Sequence, residues 1–318
     1  MPINTNLLQE YRSENNLVSY YIDSQGGDDQ NAGTSPDLAW KSLDRLGKIK
    51  LQPGDSVRLS RGSVFTNQHL YLDSDDWGTE EYPIIIEAYG QGELPTIEDP
   101  RALWDKTKLV DAISVKGRYI HIFDIRIKNA EKVWGVSLDH SSHHIIIGGM
   151  DIDGASGGIR AHGEHQKILS NYIRNIGSKG GNSGGICIVF VGKSLEFAWN
   201  RMVRCVNDTM TRPDGSAFEY YGYISGDDQP GYEYISEDIH IHHNFLEDGL
   251  IFMEAYGAVK NMTIAYNVYL NGGHSGILFH FDHSEPLDSL NHLLTYEVKI
   301  INNTFLPTQP QSPGGWGV

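Results

Sequence analysis

A chain of 318 residues is long enough for one large domain or two ordinary ones with a sizeable core. Its 39% hydrophobic and 10% aromatic content excludes a mainly disordered polymer. With 25 basic against 41 acidic side chains the formal charge is −16, which argues against nucleic acid and anionic membranes, since both are gripped by basic surface. No run of ~18 apolar residues is available to span a bilayer. Met1–Asn6 lacks the basic and then apolar regions of a signal peptide. The expected location is therefore the cytoplasm, release with a phage, or secretion with the signal already removed. Thirty-five glycines exceed the usual ~7% and point to a fold with many tight turns.

Taken in chain order, residues 1–19 read as an N-terminal extension and 20–318 as one domain. Within it, 20–110 form a cap and first irregular rungs, and 111–318 form regular rungs. Thr34-Ser35-Pro36-Asp37 offers a hydroxyl N-cap, a proline at the first helical position and an acid in the first turn. Trp40, Leu43 and Leu46 then share one face before Gly47. This spacing predicts an amphipathic capping helix that plugs the open end of a stack. Extended segments follow at 56–59, 70–72 and 84–88. The acidic loops Asp23…Asp28-Asp29 and Asp73…Asp75-Asp76 offer oxygen ligands, so Ca2+ is a candidate ion although none is required; solvated loops are the alternative.

From about residue 113 two short strands alternate. One carries asparagine in a fixed register, at Asn171, Asn200, Asn244, Asn267 and Asn303. The other opens on glycine, at Gly135, Gly158, Gly185, Gly215, Gly249 and Gly276. A repeat of this length, rich in Gly and Asn at its turns, is the signature of a parallel β-solenoid. Asparagines stacked from rung to rung can bond one another and the turn backbone. Helical repeats fail because no window sustains a 3.6-residue apolar period. The two cysteines, Cys187 and Cys205, allow one bridge at most and read as free thiols. The sequons at Asn207, Asn261 and Asn302 are expected by chance in an Asn-rich repeat.

The runs Tyr20-Tyr21-Ile22-Asp23, Gly26-Gly27-Asp28-Asp29, Gly33-Thr34-Ser35-Pro36, Ala39-Trp40-Lys41-Ser42-Leu43 and Leu51-Gln52-Pro53-Gly54-Asp55 lead into Tyr82–Gly90. Together they resemble the N-terminal cap of bacterial right-handed parallel β-helix proteins of the pectate-lyase-like superfamily. The resemblance covers the chain from about residue 20 and implies an all-β, right-handed parallel β-helix. The superfamily includes polysaccharide lyases, glycoside hydrolases, epimerases, sugar esterases and phage tailspikes. The Asn-Thr-Asp, paired-Asp and Gly-His-Gly set of polygalacturonases is missing here, as is the lysine-and-asparagine signature of alginate-lyase-like β-helices.

Alternation along the glycine-led strand points the fourth residue after glycine outward. That column reads Asp139, His162, Val189, Glu219, Met253 and His280, with Arg160, Tyr220, Tyr221, Glu254, Tyr256, Asp282 and His283 as neighbours. Charged, imidazole and phenol groups in one column suit a sugar-binding groove. Asp214–Gly222 is echoed by Asp248–Gly257. Rungs lie ~4.8 Å apart, so Glu219 and Glu254 at equivalent outward positions would approach the ~5–5.5 Å separation of a retaining glycosidase pair. Like charges that close raise one pKa, as a general acid requires. Counted from glycine, however, Glu254 is one residue out of register. A bulge at Met253–Glu254 would turn both outward; otherwise the glutamates only cap turns. The long segments Tyr223–Asp238 and Phe281–Glu297 would wall the groove.

His240 and His242 share an outward face with Asp238 nearby, a weak two-histidine metal signal, and no metal site is assigned. The leading expectation is a carbohydrate-active enzyme that cleaves glycosidic bonds of a polysaccharide or oligosaccharide. Glu219 and Glu254 act, and Asp214, Asp248 and His280 assist. A calcium-assisted uronate lyase using Lys179, Arg204 or Arg212 is the first alternative, and a non-catalytic tailspike-like glycan binder the second. Gly314–Val318 repeats the opening of a rung, so a second copy of the chain covering that end, or a longer chain, is expected.

Overall fold

The computed structural model describes residues 5–12, 17–99, 111–128, 134–177, 184–207, 213–221, 236–257, 259–280 and 296–307. Every strand pairing among them is parallel, and each strand pairs with the equivalent strand of the coil before or after it. The chain is a parallel β-helix, the architecture implied by the resemblance. Each coil has three faces. The first face runs from Leu70–Leu72 through Ile113–Val115, Trp134–Leu138 and the opening halves of Gly157–Leu169 and Gly185–Ala198. It continues through Gly215–Tyr221 and Ile251–Tyr256 to Ser275–His280. The second begins at Ser19–Ile22, takes the closing halves of the same two long strands, and ends at Tyr296–Ile301. The third is a 9-stranded sheet from Val64–Thr66 to Thr304–Pro307.

The two long strands turn the corner between faces without a break, and glycine makes this turn possible. A Cβ on Gly192 would lie 1.7 Å from the Gly163 carbonyl oxygen of the coil above. Two residues after these glycines, at His165 and Ser194, and at the other corners, the chain turns by a single left-handed residue; 18 such non-glycine residues occur among those described. Ser170, Trp199, His243, Tyr266 and Asn302 form one such column, and each immediately precedes a ladder asparagine.

The core is made of columns of inward side chains, one per coil. On the second face Ile86, Ile122, Ile147, Ile168, Phe197, Ile241 and Ile264 occupy one column, all fully buried. Beside it runs the asparagine ladder expected from the repeat. Asn171 Nδ2 donates to Asn200 Oδ1 at 2.9 Å, Asn200 to Asn244 at 3.0 Å, Asn244 to Asn267 at 3.0 Å and Asn267 to Asn303 at 2.9 Å. Each Oδ1 also accepts the backbone N–H of the preceding asparagine, and each Nδ2 also reaches a carbonyl of an earlier strand, as Asn244 does at Phe197 O, 2.8 Å. All four donors in these links except Asn200, at 1% exposure, are wholly excluded from solvent.

Two expectations are corrected here. The capping helix does not form: the region holds two short 3-10 turns, Pro36–Leu38 and Leu43–Lys48. Trp40 is instead drawn into a parallel bridge with Ile22, its N–H donating to Tyr21 O and its carbonyl accepting from Asp23 N. The Asp29 carboxylate takes the N–H groups of Lys41 and Ser42, which a continuous helix would have to release. Trp40, Leu43 and Leu46 are nonetheless buried against the first coils, so the apolar signal was real and the helical period was not. The cysteines are also not free. Cys187 and Cys205 form a disulfide, with Cα atoms 5.5 Å apart, and both are fully buried. The coil brings the start of a first-face strand against the end of a third-face strand, a proximity invisible in a count of two cysteines.

Residues 5–12 of the N-terminal extension lie on the second face. Leu8 is fully buried there with Ile85, Phe123, Leu169 and Ala198, and Arg12 pairs with Glu87 at 2.7 Å and Asp124 at 2.8 Å. The expected bare C-terminal end falls at 308–318, outside the described residues. No helix among the described residues is long and apolar enough to cross a membrane.

The ladder gives a direct prediction. Asn244→Ala leaves the N–H and Nδ2 of Asn200 without their acceptor in a dry interior, and it should destabilise the fold by about 2–4 kcal/mol. Chemical denaturation of the two proteins measures this; a difference below about 1 kcal/mol would show that the ladder is dispensable.

Candidate active site on the first face

The pair singled out in the sequence meets across adjacent coils. Strand Gly215–Tyr221 pairs with Ile251–Tyr256 so that Ser216 lies opposite Ile251, Phe218 opposite Met253, and Glu219 opposite Glu254. The register question is resolved without a bulge between Met253 and Glu254. Gly249 lies one residue ahead of the position matching Gly215, so the extra residue falls in the turn before the strand. Counting from glycine was therefore the faulty step. Two consecutive side chains on each strand, Ala217 and Phe218 or Phe252 and Met253, also enter the core together, which breaks strict alternation just before the glutamates.

The structure consequently splits the expected outward column in two. One column reads Ser137, Arg160, Val189, Glu219, Glu254 and Leu278; the next contains His162, Val191, Tyr221, Tyr256 and His280. Met253 leaves the surface altogether and is fully buried in line with Phe218. Tyr220 is also corrected. It is fully buried, stacks on Phe190 with ring centres 5.7 Å apart, and its hydroxyl accepts the Ser236 N–H, so it has no face to offer a ligand.

Burial holds the Glu219 carboxyl well above the ordinary range, at about 7, and the adjacent Glu254 and nearby Asp214 push the same way. Ser216 opposes them by donating to Glu219 Oε2 at 3.2 Å. Glu254 is only 6% exposed, and the Tyr256 hydroxyl donates to its Oε1 at 2.9 Å. Burial and then that bond raise the Tyr256 hydroxyl above its usual range. Glu219, Glu254, Tyr256 and Asp214 thus form one electrostatic group. Asp248 is not part of it. It sits at the left-handed corner after Phe245–Glu247, where its carboxylate accepts from Asn271 at 3.1 Å, a turn role.

Two coils above Glu219, about 10 Å away along the stack, the Arg160 guanidinium lies 4.8 Å over the Trp134 ring and reaches Ser137 and Asp111. His162 packs against His140 with ring centres 4.4 Å apart. Its pKa falls to about 3, mainly through burial and further through His140 and Arg160, so it is a neutral imidazole. Buried Val189 and Val191 separate this group from the glutamates and give the face an apolar middle. The side chains of Tyr221 and His280, the residues Asp282, His283, Lys179 and Arg212, and most of both long segments lie outside the described residues. Arg204 is at a left-handed corner. Sequence reasoning missed Ser216 and His140. Ser216 is fully buried at the start of its strand, with its hydroxyl turned to Glu219, and His140 belongs to a turn that no strand pattern reaches.

The acidic loops bond themselves. Asp76 accepts the N–H groups of Leu51 and Asp73, Asp73 pairs with Lys50, and Asp23 accepts from Gln25 and Gly26. His242 contacts Glu196 at 3.3 Å, while His240 stands exposed two residues earlier on the same strand. Among the described residues no group of three or more His, Cys, Asp or Glu side chains converges to hold a metal ion.

No family model matches the chain. A stretch of 78 residues, 24% of this chain, is 47% identical to a lacto-N-biosidase of Bifidobacterium longum subsp. longum and spans only 5% of that protein's length. In three dimensions the chain is similar to the GH136 lacto-N-biosidase of Eubacterium ramulus, with 18% identity, 94% of this chain and 70% of that chain covered, and a TM-score of 0.44. It is also similar to a rhamnogalacturonan lyase (12% identity, 95% and 89% covered, TM-score 0.48) and to an alginate lyase from Paenibacillus sp. str. FPU-7 (15%, 84% and 94%, 0.47).

The raised Glu219 pKa has a consequence for stability. Its folded value lies above the unfolded one, so the native state binds the extra proton, and stability declines as pH rises from about 4.5 through about 7. Glu219→Gln removes that loss. The variant should be more stable than the parent by roughly 1–3 kcal/mol at pH 8 and show little gain at pH 4. Thermal melts across this range test it; equal gains at both pH values would refute the assignment.

Proposed function

We propose that the chain is a carbohydrate-active enzyme, a glycoside hydrolase that works on its first face by a retaining mechanism. The observation that carries this reading is the in-register pairing of Glu219 with Glu254 on neighbouring strands. Carboxylates one coil apart match the short separation of a nucleophile and an acid/base, and leave no room for the intervening water of an inverting enzyme. Glu219, protonated up to about pH 7, gives its proton to the departing glycosidic oxygen. Glu254, oriented by the Tyr256 hydroxyl, attacks the anomeric carbon. Water then displaces Glu254 while Glu219 takes the water's proton. Arg160 and His162 would contact sugar units further along the face.

The match to a protein named as a lacto-N-biosidase supports a glycosidase acting on an oligosaccharide. The charge of −16 favours a neutral glycan over an anionic one, unless calcium bridges the two. Incubation with neutral and uronate-containing glycans, with and without chelator, tests the reading. New reducing ends without the ultraviolet absorbance of an unsaturated sugar are expected, and chelator should leave the rate unchanged. Glu254→Gln and Glu219→Gln should each lower kcat by about 10²-fold or more, and the parent's activity should fall above pH 7 as Glu219 loses its proton. Ultraviolet-absorbing products would point to a lyase, and full activity in both variants would exclude the pair.

A further inference from the structure

The second face carries a separate open groove of about 660 Å³, walled on one side by Glu10 and Tyr11 of the N-terminal segment. Along its edge runs a column of left-handed corner residues, one per coil: Tyr119, His144, His165, Ser194 and Asp238. The first three form a continuous ring stack. Tyr119 and His144 have centres 4.4 Å apart, and His144 and His165 are 4.5 Å apart, with interplanar angles of 19° and 26°. The stack stops at Ser194, which has no ring. From His165 to Asp238 is two coil heights, about 10 Å. Stacking contact needs roughly 4 Å on each side of an inserted ring, so the gap holds one.

The polar groups around the gap set the ligand's chemistry. Lys167 Nζ and Glu196 Oε2 are paired at 2.6 Å across adjacent coils, so they present a donor and an acceptor side by side with no unmatched charge. Three coils above Ser194, further along the same groove, His121 donates from Nδ1 to Tyr11 O at 3.0 Å, which leaves Nε2 as an acceptor for a neighbouring sugar unit. Burial lowers its pKa to about 4 and keeps that acceptor neutral. Asp238 is held by Asn261 through Oδ1. Alternating donors and acceptors beside an aromatic ring face match a ring bearing vicinal hydroxyls, each of which both donates and accepts. An anion would meet a lysine that is already neutralised and a wall of carboxylates.

We propose that the second-face groove is a glycan-binding site, separate from the glutamate pair, in which one neutral hexopyranose unit stacks on His165 in the gap at Ser194. The site would hold a chain of sugars against the protein independently of cleavage on the first face.

The test titrates the full chain, carrying Glu254→Gln to slow turnover, with neutral tetrasaccharides of glucose, galactose and N-acetylglucosamine and with a uronate tetrasaccharide. Binding is read by calorimetry and by amide hydrogen exchange. A neutral member should protect the amides of residues 164–167 and 193–196. Ser194→Trp, which fills the gap with an indole, and His165→Ala, which removes the platform at an exposed corner, should each weaken that binding at least tenfold and abolish the protection. Melting temperatures confirm that each variant is folded. The proposal is overturned if no neutral glycan protects these segments, if both variants bind as the parent does, or if only the uronate binds. Because the readout is local to the second face, it stands or falls separately from the hydrolase reading.

Discussion

The asparagine ladder is the constraint from which the rest of the molecule follows. Turning a strand sharply at the corner between the second and third faces strands backbone N–H groups inside the structure, where no water reaches them. A column of identical side chains, each with one acceptor and two donors, satisfies these groups and links each coil to the next. The left-handed residue that precedes each ladder asparagine makes the turn, at a backbone cost of order 1 kcal/mol that the bonds and the buried columns offset. With the corner fixed, equivalent residues of successive coils have no choice but to fall one above another. That is how two glutamates 35 residues apart become neighbours.

The same vertical register accounts for the electrostatics of both faces. On the first face it puts like charges side by side with an apolar stretch above them, and burial then forces a carboxyl to keep its proton near neutrality. On the second face it puts Lys167 beside Glu196. There the hydrogen bond from His242, with Lys167 adding to it, draws the Glu196 carboxyl down to about 2, against the opposing effect of burial. One residue type in one kind of position thus acquires opposite character according to the side chain on the next coil.

The stacked architecture was legible because its signals repeat: the asparagines at fixed register and the apolar columns state the same fact many times. The glutamate pair was legible as a near-duplication, but its alignment was not. Gly215 and Gly249 look equivalent in sequence and differ by one place in the structure, because a turn can absorb a residue that a strand cannot. Tyr220 and Met253 were misplaced for a related reason, since two consecutive inward residues reset the alternation. The capping helix failed because Trp40 found better partners in a bridge to Ile22 and Asp29 took the N–H groups of Lys41 and Ser42, a tertiary override of a local pattern. The disulfide and the broken aromatic stack at Ser194 left no trace in the sequence, since each depends on residues that only the winding of the chain brings together.

The ladder asparagines are separated by 29, 44, 23 and 36 residues, yet each link between them has nearly the same length. Height along the axis is therefore independent of how much polypeptide a coil contains. Residues added between two ladder positions leave the spacing of the coils above and below unchanged. Such a scaffold can acquire new surface chemistry by lengthening one turn at a time, while the stability of its interior is set elsewhere. Evolutionary change in what the protein recognises is in this way insulated from change in whether it folds.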